Sequence, residues 1–476
     1  MQTYENIIAG FPIGSPVTFE SRNPATGETI GLIPHSSATQ VAEAVAAAKA
    51  AQPAWAALLD IERKSRLAEV ADILKNNAEY LAKWVTQEQG KPLGGIGPGQ
   101  IPGARFELYA CEVWTRVPAG LDLPEEVVFE DETRRDVLHR KPFGVVAAIA
   151  PWNWPLMIAV WQIIPALRAG NTVVLKPSEY TSISTLEMVR LIAKALPPGV
   201  LNTVSGPGDV GAALVESPNV DKIVFTGSTA TGSRIAETAA RKLVPSTLEL
   251  GGNDAAIVLP DADPKAVAMD LFWGAFLNMG QTCACAKRLY VPVLLHDALV
   301  DELKTIAEMM PMGNGMDEGT AVGPIQNRMQ YDKVVSLVEQ ARASGATIVC
   351  GGEALDGPGN FYPITLVTDI QDGASLVDEE QFGPVLPIIK YTDIDDAIAS
   401  ANRLNVGLGA SIWSSDRDKA AEVASRIEAG TVWINQHGIV HPMVPFGGVK
   451  SSGWGVEFGI DGLKAMTRSQ VISIKK

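Results

Sequence analysis

Residues that staple a fold or hold a metal are scarce here: the 476-residue chain has four cysteines and five histidines. Cys111, Cys283, Cys285 and Cys350 are mostly far apart, so the spacing gives no disulfide framework and suits a reducing compartment. No stretch reaches the roughly 18 uninterrupted apolar residues of a membrane span. The opening MQTYENIIAGFPIG has neither the basic start nor the apolar core of a secretion signal, and a cytoplasmic protein is expected. Positive charge is in deficit too: 39 Lys and Arg against 54 Asp and Glu leave a net charge of −15. No basic cluster with interleaved aromatics offsets it, which argues against nucleic acid and membranes as partners. Of the histidines only His437 and His441 stand at suggestive spacing, and Gly438 and Pro442 oppose the helix that would align them, so no metal is expected.

What the chain does have is alternation. Its length is too great for one hydrophobic core and implies two or three domains. A short hairpin, VTFESRNPATGETIGLIP, is followed by predicted amphipathic helices over Ala38–Ala51 and Ile61–Gln89. From Gly144, apolar runs (GVVAAIA, NTVVLK, LNTVS, DKIVFTG, STLELGG) alternate with helical stretches, the pattern of a parallel, doubly wound α/β sheet. Such sheets bind ligands beyond the carboxyl ends of their strands. A second α/β segment begins near Asn253, with helices expected at Pro264–Leu277, His296–Met309 and Asn327–Ser344 and strands at RLYVPV, ATIVC, VLPIIKY and TVWIN. Two β-prone stretches, EEVVFEDETRRDVLHRKPF and SQVISIKK, have no evident partner within a domain, and an arm that pairs with another subunit and an ordinary sheet edge both remain open.

Several motifs fall at the predicted strand ends. Gly206-Pro-Gly-Asp-Val-Gly211 matches G-x-G-x-x-G but follows the third strand, so dinucleotide contact and a tight strand-to-helix loop both remain open. FTGSTATG is the better phosphate cradle, because Gly227 and Ser228 stand where a strand gives way to a helix N-terminus. In KPSE, Lys176 could donate to ribose hydroxyls and Glu179 accept from them, while Ser178 and Glu179 would equally serve as caps. In PWNWP, the Asn153 amide could hold an oxyanion or merely make an Asx turn. Glu249 of ELGGND could act as a general base if apolar walls raise its pKa. In NMGQTCACAKR the Cys-x-Cys pair lacks further metal ligands and is badly spaced for a stabilising disulfide, which leaves two candidate sulfurs as nucleophiles.

Taken in order, PWNWP, KPSE, FTGS, ELGGND, FLNMGQTCACAKR, EEQFGP and PFGGVKSSG resemble the aldehyde dehydrogenase superfamily, from about residue 18 to the C-terminus. The resemblance implies that Cys283, two residues after the Gly-Gln pair, attacks the aldehyde. Asn153 and the Cys283 N–H would hold the oxyanion, and hydride would pass from a thiohemiacetal to nicotinamide. Glu249 would then activate water to release the acid from a thioester. It implies cofactor contacts from Trp152, Lys176, Ser178, Glu179, Gly208, Gly227, Ser228, Leu250, Glu380 and Phe382. NAD is expected to be preferred, because Glu179 should repel a 2′-phosphate, with NADP a lesser option. Cys285 becomes a bystander that could capture an oxidised Cys283.

The same resemblance implies a Rossmann-like dinucleotide-binding domain over 1–120 and 142–252 and a catalytic domain over 253–442. Residues 121–141 and 443–476 would form a β oligomerisation arm and return segment, in a homodimer or homotetramer. Trp154, Ile158, Trp161, the loop His437–Val440 and Phe446 would line the substrate pocket. That set is apolar and aromatic, and no arginine lies between Asn435 and Phe446 to clamp a second carboxylate. A small-molecule aldehyde of medium size, apolar or aromatic, is therefore expected. A semialdehyde served by an arginine elsewhere, such as Arg105, is the alternative, as is a relative that kept the fold without catalysis. Glu249 argues against a CoA-acylating branch, in which that glutamate is typically missing. One departure from the family pattern is Val456, which stands where an arginine is usual.

Overall fold

The computed structural model of the chain describes residues 1–94 and 103–476. The runs Val145–Ile149, Thr172–Lys176 and Lys222–Thr226 are buried at every position. A strand with no polar face must be covered on both sides, which requires a sheet between helical layers. The first sheet has six strands in the order Gly453–Trp454, Ser246–Glu249, Lys222–Thr226, Val145–Ile149, Thr172–Lys176, Leu201–Thr203. The five expected strands are all parallel, and the C-terminal segment adds the sixth, antiparallel, at the edge. Strand order reverses between Val145–Ile149 and Lys222–Thr226, so a ligand crevice belongs above that pair.

The second sheet has seven strands, in the order Thr347–Cys350, Thr365–Thr368, Val385–Tyr391, Ala286–Pro292, Asp254–Val258, Gly409–Trp413, Thr431–Ile434. All neighbours are parallel except the first pair. Asp254–Val258, Thr365–Thr368 and Gly409–Trp413 add to the strands read from sequence; each is short and wholly buried, so no alternation marks it.

The two stretches that lacked a partner turn out to be partners of each other. Thr467–Lys475 pairs antiparallel with Arg134–Pro142 over nine residue pairs, and Glu126–Glu130 completes a three-stranded sheet. They are far apart in sequence, and pairing over that separation leaves no local signal. Three helical readings also need correction. The first helix runs to Ala57 and contains Pro53, rather than ending at Ala51. The long Ile61–Gln89 helix is two, Asp60–Asn76 and Ala78–Gln89, broken at Asn77. There the Asn77 side chain donates to the Ile73 carbonyl and competes with the helical ladder. A helix over Ala104–Gly120, not anticipated, packs on the Pro155–Arg168 helix. Among the described residues no helix is long and apolar enough to cross a membrane, and no group of three or more His, Cys, Asp or Glu could hold a metal ion.

Candidate active site

The carboxyl ends of the first sheet deliver four of the motifs to one edge: PWNWP after Ile149, KPSE from Lys176, FTGS from Phe225 and ELGG from Glu249. Ser228 caps the 14-residue helix Thr229–Lys242, its Oγ accepting from Thr231 N–H at 3.3 Å. Gly227 carries no side chain where the chain turns, and a Cβ there would lie 2.5 Å from the Phe225 ring. Gly208 opens the helix Gly208–Glu216, and a Cβ on it would meet nothing within 4 Å, so backbone is accessible at that end. Leu250 packs beneath, closing on Gly232.

Lys176 is buried, with Nζ donating to the Pro177 carbonyl at 2.9 Å and lying 3.7 Å from Glu179. Burial lowers its pKa, while the Glu179 and Asp209 carboxylates pull the other way. The helix after KPSE is not capped by KPSE. Glu88, from the Ala78–Gln89 helix, accepts from Ile183 N–H at 2.7 Å and Ser184 N–H at 2.9 Å. Lys176 and Glu179 are thereby left for other work, whereas Ser178 Oγ accepts from Tyr180 N–H within its own turn. Glu380 leans on the glycine turn after Glu249, where a Cβ on Gly251 would come within 2.5 Å of its carboxylate. Burial raises its pKa to about 7, and Oε1 has no partner among the described residues. Phe382 and Trp152 meet edge to face at 5.4 Å. An orphaned buried carboxylate oxygen, an open helix N-terminus at bare glycine and a lysine beside a carboxylate are the donor and acceptor set that a dinucleotide's ribose and pyrophosphate groups require.

Cys283 arrives from the second half of the chain on a strained turn. Asn278, Met279 and Gly280 have φ of 52°, 60° and 68° in succession, and a Cβ on Gly280 would clash with the Gly383 carbonyl at 2.3 Å, which dictates glycine there. The Cys283 side chain is half-buried, whereas Cys285 is buried with Sγ 3.8 Å from the Leu277 carbonyl. All four cysteines are free thiols. Burial pushes the Cys283 thiol well up, the Glu380, Asp254 and Glu249 carboxylates add to this, and Lys287 opposes them.

The Asn153 amide donates one bond to the Gln281 carbonyl at 3.0 Å, which ties it to the cysteine loop. An amide nitrogen has a second hydrogen to offer. The Asn153 carbonyl accepts from Asn278 Nδ2 and Lys91 Nζ, each at 2.9 Å. Glu249 is buried, and neither carboxylate oxygen has a partner among the described residues. Burial and the neighbouring Glu457 charge push its pKa well up, and burial brings Glu457 to about 7. Glu457 was missed from sequence; it stands beside Val456, and its strand bridge with Phe446 holds this loop without the arginine.

Ile158, Trp161 and Phe446 join one apolar cluster with Trp154, against which Cys283 and Val440 pack. Trp114 and Phe458, also missed, belong to it: Phe458 lies 4.6 Å from the Trp161 ring and 5.9 Å from the Phe446 and Trp114 rings. Trp114 could not be placed without the Ala104–Gly120 helix. His437 departs from its expected pocket role. Its ring is buried, bonded through Nδ1 to Ser411 Oγ at 2.9 Å and 3.5 Å from Asp254 on the other side, because a polar ring at this depth needs buried partners. Arg105 is exposed and held in two bonds by Glu79.

The aldehyde dehydrogenase family model matches residues 14–472. The chain is 38% identical to the phenylacetaldehyde dehydrogenase of Pseudomonas fluorescens over 480 aligned residues, covering 96% of this chain and 93% of that one. It superposes on the NAD+ complex structure of aldehyde dehydrogenase from Bacillus cereus with a TM-score of 0.96 and 32% identity, covering 100% of this chain and 97% of that one. An E. coli NADP-dependent enzyme matches at a TM-score of 0.96 and 34% identity, covering 100% and 98%.

Proposed function

This chain belongs to the aldehyde dehydrogenase family, and we propose that Cys283, Asn153 and Glu249 divide its chemistry among them. The overall reaction oxidises an aldehyde to its carboxylic acid, and NAD(P)+ when bound supplies the hydride acceptor. Cys283 loses its thiol proton to solvent and its sulfur, as thiolate, attacks the carbonyl carbon and forms a C–S bond, placing negative charge on the former carbonyl oxygen. The second hydrogen of Asn153 Nδ2 stabilises that charge. Loss of hydride from carbon leaves a thioester on Cys283. Glu249 takes a proton from water, whose oxygen attacks the thioester and frees the acid and the thiolate. The observation that carries this reading is Glu249: a buried carboxylate with both oxygens unpartnered and a raised pKa is costly to keep unless it accepts a proton during the reaction.

Lys176 and Glu179 would hold the adenosine ribose, Gly227, Ser228 and Gly208 the pyrophosphate, and Glu380 with Phe382 and Trp152 the nicotinamide-ribose side. Glu179 and Asp209 both bear on Lys176, and two carboxylates beside a ribose disfavour a 2′-phosphate, which supports NAD over NADP. The aromatic cluster, and the capture of Arg105 by Glu79, support a medium-sized apolar or aromatic aldehyde, in line with the phenylacetaldehyde dehydrogenase relative. An assay of NADH and NADPH formation over aliphatic, aromatic and ω-carboxylated aldehydes tests both points. We expect aromatic aldehydes with NAD+ to give the highest kcat/KM; an ω-carboxylated aldehyde or NADP+ ahead by tenfold overturns the corresponding part.

The three-stranded arm exposes Val127, Val128, Phe129, Val471, Ile472 and Ile474 across its two faces, apolar area that supports assembly into a homodimer or homotetramer. Ile472→Glu with Ile474→Glu alters only exposed positions and should shift the sedimentation coefficient towards monomer. A wild-type chain that already sediments as monomer refutes the arm's role.

A further inference from the structure

Lys91 and Glu107 form an ion pair at 2.6 Å whose side chains are wholly inaccessible to solvent. A buried pair of this kind is weak evidence for stability, since desolvation offsets most of the attraction. Among the described residues, the other side-chain bonds of the pair all go to one short segment. Lys91 Nζ donates to the Asn153 carbonyl at 2.9 Å and sits 3.4 Å over the Trp154 ring. Glu107 Oε1 accepts from Leu156 N–H at 2.9 Å and Met157 N–H at 3.1 Å, the first turn of the Pro155–Arg168 helix. From the opposite side, Asn278 Nδ2 holds the same Asn153 carbonyl and Thr282 Oγ1 takes the Trp154 indole N–H at 3.0 Å. Residues 153–157 are thus fixed from the ion pair on one side and from the cysteine loop on the other.

We propose that Lys91 and Glu107 are positioning residues that fix the Asn153 amide relative to Cys283 and so set the strength of the oxyanion hole. Neither touches the substrate; both act through the backbone of Asn153 and the helix that follows it. Without the ammonium the Asn153 carbonyl keeps a single donor, from Asn278, and the amide loses the register that an oxyanion donor needs. Displacements of this order lower rates by roughly 10–10²-fold.

This inference rests on Asn153 being the oxyanion donor, and a double-mutant cycle separates the two claims. Asn153→Ala alone should reduce kcat/KM for the best aldehyde of the panel by roughly 10²-fold. Lys91→Met with Glu107→Gln, which leaves no unpaired charge and keeps an oxygen for Leu156 and Met157, should reduce it at least tenfold. In the Asn153→Ala background the same pair should change it by less than threefold, because the group being positioned is gone. The NAD+ KM and the rate of Cys283 alkylation by iodoacetamide, which forms no oxyanion, should stay within twofold of wild type. Losses that multiply, or a parallel loss of alkylation, would mean a merely structural role and overturn the inference. So would an unchanged Lys91→Met/Glu107→Gln enzyme. If Asn153→Ala is itself without effect, the oxyanion assignment fails and this inference with it. Should the double variant not fold, Glu107→Gln alone is carried through the same cycle, with a smaller loss and the same non-additivity expected.

Discussion

Cys283→Ser should reduce aldehyde-dependent NADH formation by roughly 10³–10⁶-fold, the range seen when a covalent nucleophile is removed. Serine keeps the size of the side chain and the turn at Asn278–Gly280, so the loss reads chemistry rather than folding. A hydroxyl is far harder to deprotonate than a thiol. The charges that bear on this position, Glu380, Asp254 and Glu249, already oppose ionisation, with Lys287 alone opposing them. Burial already disfavours the Cys283 thiolate, and the alkoxide of a far weaker acid would be vanishingly populated. Cys285→Ala is the matched comparison. Its sulfur is buried against the Leu277 carbonyl, whereas Cys283 is half-buried, and activity should stay within about threefold of wild type. An active Cys283→Ser enzyme paired with a dead Cys285→Ala enzyme would reverse the assignment.

Much of this site could be read from the chain because its parts are written locally. A strand followed by Gly-Ser at a helix start, or a Cys after Gly-Gln, occupies a few consecutive residues, and the sheet then brings those stretches to one edge. Where the reading failed, the cause was long-range. Arg134–Pro142 and Thr467–Lys475 could not be seen as partners because nothing within either stretch names the other. Glu88 caps the helix at Ser182 across nearly a hundred residues, so local capping rules pointed to KPSE instead. The break at Asn77 was hidden by apolar positions that continue at helical spacing on both sides of it. His437 looked like a pocket residue because its loop lies beside the site, yet its ring turns to Ser411 and Asp254, both from other strands. Lys91 and Glu107 carry no motif of their own, and only the folded chain shows what they grip.

Glu249→Gln should separate the two halves of the reaction. Attack and hydride loss do not require the general base, so a rapid burst of about one NADH per subunit is expected, followed by turnover slower than wild type by roughly 10²–10⁴-fold. Quenched-flow or stopped-flow absorbance reads both phases, and loss of the burst itself would move Glu249 to an earlier step. The pH dependence follows from burial. Desolvation first, and then the Glu457 charge, raise the Glu249 pKa well above the ordinary carboxylate value, so its protonated form, which cannot accept from water, persists to higher pH than in an exposed carboxylate. The steady-state rate should therefore climb with pH as Glu249 ionises, at higher pH than an ordinary carboxylate would require, and level off once it is ionised. Glu457 is itself raised to about 7, and as it ionises it makes the second charge harder to form. Glu457→Gln removes that repulsion, lowers the Glu249 pKa and should move the acid limb of the steady-state profile to lower pH. The burst phase, which depends on the Cys283 thiol, should keep its own profile. An acid limb that stays in place in Glu457→Gln would show that the two carboxyls titrate independently, and one that moves to higher pH would show that Glu457 does not oppose the Glu249 charge.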